Sequence, residues 1–247
     1  RELHFLLVTY RETESIASVM AVSADAKRVY FSSSFDFADG WEPGARNIYM
    51  LHGGAFEWVG AGANLLANGD GGAKVRYLLS PDGRSLLFAS RSELTGAPTN
   101  EFDQVYLHRE GGPLVCVSCR TDGVLPTTDA RIALGVFGGG FNEAGRYAGS
   151  LSDSGSSAAF ETGESLLPGD RDGAERDVYL WSEGGLSLLT PIPPDEPHFL
   201  LGMSGDGRDV FIGTFSSVLA EDSDGGDEDI YDIRVGGGFP YAEAARA

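Results

Sequence analysis

Basic side chains are scarce in this chain. Eighteen Lys and Arg stand against 37 Asp and Glu, a formal charge of −19, and only Lys27 and Lys74 are lysines. So acidic a surface repels polyanions, which argues against nucleic acid or an anionic membrane as partner and leaves cations, basic proteins or neutral glycans. Cysteine is nearly absent. Cys116 and Cys119 are the only two, too few for a disulfide-built scaffold or a four-thiolate zinc site. The four histidines, His4, His52, His108 and His198, are scattered at strand ends, where surface or edge positions are expected. No 18-residue apolar run exists, so no segment is a membrane-spanning helix. Residues 3–9 are too short and too poorly flanked for a signal peptide. The opening at Arg1 leads us to expect a processed protein or an excised piece of a longer one.

What is abundant points to strands and turns. Apolar residues make up 42% of 247 positions, enough to build a core, and there are 35 glycines, as expected where many tight turns need positive φ. One sentence is written four times. It begins with a strand and a serine-led turn: Ser23-Ala-Asp25-Ala, Ser80-Pro-Asp82-Gly83, Ser152-Asp-Ser-Gly155 and Ser204-Gly-Asp206-Gly207. Asp, Ser and Gly favour the dihedrals of such turns. A second strand, a polar loop and a tyrosine strand follow (Tyr49, Tyr106, Tyr179, Tyr231). A Gly-Gly tip and a last strand end each unit.

The register excludes coincidence. Serine and tyrosine are 26 residues apart in the first two copies and 27 in the last two, and Phe31, Phe88, Phe160 or Ile212 stands eight past each serine. Four short antiparallel strands at a period near 50 are the signature of β-propeller blades, whose two sheet faces are hidden by stacked neighbours. The expected fold is therefore all-β: a propeller of four-stranded antiparallel blades. We divide it as blade one at 16–60, blade two at 73–119, a long inter-blade loop at 120–145, blade three at 146–190 and blade four at 198–242, all one domain. Residues 1–15 hold an apolar strand that is the remnant of a neighbouring blade or completes the last one.

The Ser-Pro-Asp82-Gly83 turn with its apolar strand, followed by Val-Tyr106 and Gly-Gly, resembles the TolB-type (WD40-like) β-propeller repeat of exported bacterial proteins. The resemblance runs over roughly residues 16–240. It implies a periplasmic, secreted or cell-surface location, and a ring of six or more blades. Four blades left as an open arc would expose apolar end faces, so further blades of the same polypeptide are expected as partners.

Connectivity separates two faces. The A–B and C–D turns fall on one face and are short; the B–C and D–A connections fall on the other and are long and variable, the usual place for binding. A protein or small ligand is expected there. On that face copy three carries Asp170, Asp172 and Asp177, and copy four Asp222, Asp224 and Asp229. Acids two apart, a glycine and a later acid form half of a calcium loop, so Ca²⁺ is the one cofactor suggested, against the plainer reading of solvated turn formers. Cys116 and Cys119 form a disulfide only if the chain turns at Val117-Ser118, because an extended spacing of three places their Cα atoms too far apart. No Gly-x-Ser-x-Gly elbow or nucleophile–base pairing is visible. The expected function is a non-catalytic scaffold or binding module. The alternative is an accessory or catalytic propeller of a hydrolase- or lyase-type enzyme with its site on the B–C/D–A face.

Overall fold

The computed structural model describes residues 17–61, 77–133, 149–171, 173–190, 197–219, 222 and 226–237. Among them the strands form four antiparallel sheets and no helix is present. The first sheet is β1 (Ala17–Val22), β2 (Arg28–Ser33), β3 (Asn47–His52) and β4 (Ala55–Ala61), in that order across the sheet. The second repeats it with β5 (Tyr77–Leu79), β6 (Ser85–Ser90), β7 (Gln104–Arg109) and β8 (Val115–Cys116). The third contains β9 (Ser157–Thr162), β10 (Asp177–Ser182) and β11 (Gly185–Leu188); the fourth contains β12 (Phe199–Met203), β13 (Asp209–Thr214) and β14 (Asp229–Arg234). The strand expected within residues 3–10 and the last strand of copy four, at 239–241, lie outside the described residues.

The repeated register is a cross-strand contact. Phe31 lies opposite Tyr49, Phe88 opposite Tyr106, Phe160 opposite Tyr179 and Ile212 opposite Tyr231. The first three pairs stack, with centroids 5.4, 5.7 and 5.7 Å apart. Such pairs add about 0.5–1.5 kcal/mol beyond the apolar area they bury.

The serine-led turns are built alike. Ser80 Oγ donates to Asp82 Oδ1 (2.7 Å) and accepts from Ser85 N (2.9 Å), while Arg84 N donates to the same carboxylate oxygen (3.0 Å). That last bond, foremost, holds the Asp82 carboxyl below the usual carboxylate range. Ser23–Asp25 and Ser204–Asp206 repeat the arrangement. The residue closing the turn is left-handed: Gly83, Gly155 and Gly207 have φ of +73°, +69° and +73°, but the first turn has Ala26 there at +56°.

These turns are also where blades meet. A Cβ on Gly155 would stand 2.0 Å from Ser85 Oγ, and one on Gly83 2.5 Å from Ser23 Cβ. Ala24 N donates to Pro81 O (3.0 Å) and Asp153 N to Gly205 O (2.7 Å), turn to turn. Behind the turns each sheet presents two apolar faces. Tyr30, Ile48 and Met50 of the first pack on Leu86, Phe88 and Tyr106 of the second. Leu87, Val105 and Leu107 meet Phe160 and Tyr179, and Ala159, Val178 and Leu180 meet Leu200, Val210 and Ile212. The sheets therefore stack in chain order as propeller blades.

One expected boundary shifts. The inner edge of the third sheet is a composite: Leu151 bridges Ala158, and Arg131 bridges Glu161 from the far side of residues 134–148. The stretch 130–133, expected inside a loop, thus belongs to blade three. Its apolar side chains explain this: Ala130, Ile132 and Ala133 are all buried, and Ala133 N donates to Ser150 Oγ (2.8 Å).

The first and last blades each expose apolar side chains on their outer faces, although Phe31 and Tyr49 at the centre of the first are buried under Phe37, Phe56 and Trp58. Val19 and Val22 of β1 are 64% and 49% exposed, whereas Leu200 and Met203, at the same distances before their turn serine, are 2% and 5% exposed. At the other end Phe211 and Ile230 are 37% and 65% exposed. Their counterparts Tyr30, Leu87 and Ala159, and Ile48, Val105 and Val178, are completely buried.

Candidate functional site

Among the described residues the long-loop face consists of the connections at 34–46, 91–103, 163–171, 173–176, 215–219, 222 and 226–228, with the D–A passage at 117–130. Each loop is fastened by the tyrosine of the strand that follows. Tyr49 OH donates to Phe35 O (2.6 Å) and Tyr106 OH to Ser92 O (2.7 Å). Burial of the Tyr106 ring pushes its hydroxyl up to about 12, so it remains a donor at any ordinary pH. In the third and fourth blades the acceptor changes: Tyr179 OH donates to the Asp170 carboxylate and Tyr231 OH to the Asp222 carboxylate. The first acid of each acidic loop is an anchor turned toward the blade.

The later acid has another role. In the first three blades the residue two before the tyrosine faces the outer strand. Asn47 Oδ1 accepts from Trp58 Nε1 (2.8 Å), Gln104 Oε1 from Ser118 Oγ (2.9 Å) and Asp177 Oδ1 from Thr190 Oγ1 (2.5 Å). Asp177 is fully buried. Asp170 and Asp177, two of the expected calcium ligands, thus have different surroundings: one is held by tyrosine and the other lies inside the blade. Asp222 and Asp229 divide in the same manner between a loop and the start of β14, and Asp172 and Asp224 lie outside the described residues. Among the described residues no group of three His, Cys, Asp or Glu is placed to hold a metal ion.

Cys116 and Cys119 are joined, with Cα atoms 5.4 Å apart. The turn between them is fixed by Val117 N donating to Val105 O (2.9 Å) and Val105 N donating to Ser118 Oγ (2.8 Å).

Two histidines depart from the expected surface placement. His108 is buried, with Nε2 2.9 Å from Glu57 Oε1 across the first blade junction. His198 is wholly buried; neither ring nitrogen has a hydrogen-bond partner, and Nδ1 is 3.7 Å from Asp177 Oδ1. Burial pulls its pKa below the ordinary histidine value. Both sit where a blade edge is covered by its neighbour, a relation between blades that residue type does not reveal. His52 is half-buried against Glu110 on the short-turn face (2.8 Å).

Sequence reasoning missed a densely hydrogen-bonded part of the loop face. Glu164 accepts from Thr127 N, Thr127 Oγ1 (2.8 Å), Thr128 N (2.9 Å) and Arg120 Nη1 (3.1 Å), which ties the D–A passage to blade three. Burial opposes its charge, but the Thr127, Thr128 and Arg120 donors hold its carboxyl below the usual range. Arg120 also clamps Asp122, whose Oδ1 accepts from Val124 N (3.0 Å). Asn100 Nδ2 donates to Pro126 O (2.9 Å), and Asn100 and Glu101 hold left-handed φ of +49° and +68°, costly for residues with a side chain. The result is an apolar shoulder, Val124 and Leu125, each half exposed yet held on both flanks. The signal was present in Gly-Val124-Leu125-Pro126, two aliphatic residues inside a loop.

No protein-family model matches the sequence, and no curated protein matches it. Solved structures do. A TolB from Agrobacterium tumefaciens matches at 12% identity and TM-score 0.38, covering 86% of this chain and 64% of that one. The β-propeller domain of the Trilobed protease from Pyrococcus furiosus matches at 12% identity and TM-score 0.39, covering 92% and 52%. A prolyl endopeptidase structure matches at 15% identity and TM-score 0.43, covering 90% and 26%. The chain thus spans less than two thirds of each. By its own antiparallel sheets, stacked turns and repeated register, the chain has the stacked-blade fold of a β-propeller.

Proposed function

We propose that the chain is a non-catalytic binding module that presents its B–C/D–A face to a protein partner. The observation that carries this is the distribution of exposed apolar side chains. Among the described residues nine large hydrophobics are exposed. Phe35, Val124, Leu125, Phe215 and Leu219 stand in the long loops, and Val19, Val22, Phe211 and Ile230 on the two end faces. Among the described residues the short-turn face has none. Apolar anchors in a strongly acidic setting suit a segment that brings aliphatic or aromatic residues beside Arg or Lys.

The burial of His108 and His198, and the engagement of His52 with Glu110 on the opposite face, support binding over hydrolysis. The disulfide supports an oxidising compartment outside the cytoplasm. Selection of displayed peptides on the whole chain, followed by hydrogen exchange, tests the reading. Selected peptides should be basic and apolar and should protect 119–130 and 215–219. Protection confined to the short-turn face, or turnover of peptide, ester or glycoside substrates by the chain, would overturn it.

A further inference from the structure

The bond between Cys116 and Cys119 is not what makes the corner it lies on. In blade two Val117 N donates to Val105 O (2.9 Å), Val105 N to Ser118 Oγ (2.8 Å) and Ser118 Oγ to Gln104 Oε1 (2.9 Å). Blade three builds the same corner. Leu189 N donates to Val178 O (2.9 Å), Val178 N to Thr190 Oγ1 (3.0 Å) and Thr190 Oγ1 to Asp177 Oδ1 (2.5 Å). Leu188 lies opposite Tyr179 there, as Cys116 lies opposite Tyr106, and the residue three further on in sequence is Pro191. Hydrogen bonds therefore hold this corner in one blade, and a covalent bond is added to it in another. Closing so short a loop also constrains the unfolded chain less than closing a long one.

What the sulfur bond adds is a fixed point for Cys119. Cys116 ends β8 and packs against the apolar cluster shared by blades one and two. Cys119 opens the D–A passage, one residue before Arg120, which clamps Asp122 and reaches Glu164 of blade three (3.1 Å). Asp122 Oδ1 in turn accepts from Val124 N (3.0 Å). Further on the passage has ties of its own: Asn100 Nδ2 donates to Pro126 O (2.9 Å), and Ala130 N donates to Asp103 O (2.8 Å). The stretch 119–125 is thus fastened to blade two by sulfur at its start and by hydrogen bonds beyond its end. Both cysteines are only half-buried and 121–125 are exposed, so a small thiol can approach.

We propose that Cys116–Cys119 is a site of thiol–disulfide exchange that takes a dithiol as its reductant, and that reduction releases 119–125 while the blades stay folded. A thiolate of the dithiol attacks one sulfur and the other leaves as a thiolate; the second thiol of the reductant then displaces the first cysteine. Two electrons and two protons pass to Cys116 and Cys119, and the reductant is left as a cyclic disulfide. The reverse exchange restores the latch. The Val124–Leu125 shoulder lies inside the released stretch, so its presentation follows the redox state, whatever the shoulder binds.

Hydrogen exchange on the folded chain, with and without about 1 mM dithiothreitol, tests this, and alkylation counts the free thiols. Two thiols should appear while circular dichroism is unchanged. Amides of 120–125 should then exchange about tenfold or more faster, and those of β7 should not change. Cys116→Ser/Cys119→Ser should show the fast exchange without reductant and no response to it. Ser118→Ala removes the hydroxyl that backs up the sulfur bond, so reduction of that variant should also loosen Val105 and Val117. Thiols that appear only once the chain unfolds overturn the proposal, as does reduction that leaves exchange at 120–125 unchanged. Loss of protection in β7 when the parent chain is reduced overturns it too, because the bond would then be part of what holds the blade.

Discussion

The two faces of the blade arc differ in how much they repeat. On the short-turn face four turns use nearly one sequence, and three of them close with the same Ser–Asp hydrogen bonds. Neighbouring turns touch through a glycine or a backbone bond, and no large apolar side chain is exposed there among the described residues. On the long-loop face two small devices recur, the Ser or Thr hydroxyl that opens each loop and the tyrosine that anchors it, but what the tyrosine holds varies: a carbonyl in two blades, a carboxylate in two others. Left-handed Asn100 and Glu101, the Arg120–Glu164 clamp and the Val124–Leu125 shoulder each occur once. The difference teaches that repetition marks what fits blades together, while departures from it mark what this chain does alone.

Substitutions break or sharpen this contrast in graded steps. The largest effect belongs to the turn face. Gly155→Ala forces a Cβ onto Ser85 Oγ and places it at a left-handed φ, and should cost about 2–4 kcal/mol in urea melts. Next is the loop anchor: Tyr179→Phe leaves the Asp170 carboxylate without its buried donor and should cost about 1.5–3 kcal/mol. Tyr106→Phe, which removes a bond to the neutral Ser92 carbonyl, should cost less, about 0.5–1.5 kcal/mol by the same measurement. Ala26→Gly gives the first turn the residue that the other three have at this dihedral, and should stabilise by about 1 kcal/mol.

His198 adds a pH effect. Its pKa is lower folded than unfolded, so the unfolded chain binds the extra proton, and the stability that neutral His198 provides is lost as pH falls below about 6.5. A thermal midpoint that declines from pH 7 to 5.5 should decline less in His198→Leu; equal slopes would remove His198 from the account.

Much of the fold was legible because propeller geometry imposes a register on sequence. The spacing of eight from serine to phenylalanine and of 26 or 27 to tyrosine is what sets the phenylalanine and the tyrosine opposite each other on adjacent strands. At the third blade Leu151 bridges Ala158 as its spacing suggests, whereas the bridge from Arg131 to Glu161 was not legible, because 130–133 on its own looks like loop. The acidic loops were harder to read. Asp170 and Asp177 look alike in sequence, yet one meets a tyrosine hydroxyl and the other a threonine inside the blade. Which way a carboxylate turns depends on a donor contributed by another strand, and spacing along one strand cannot disclose it. The histidines failed for the same reason: the partner of His108 is Glu57 in the preceding blade.

The division between a face that fits blades together and a face that binds is tested most directly by Val124→Ser/Leu125→Ser, read twice on one preparation. We predict a thermal midpoint within about 2 °C of the parent, as for exposed positions generally. Alongside it, affinity for peptides selected on the parent chain should fall by about tenfold or more. An unchanged affinity, or a midpoint that drops as far as that of Gly155→Ala, would contradict the account.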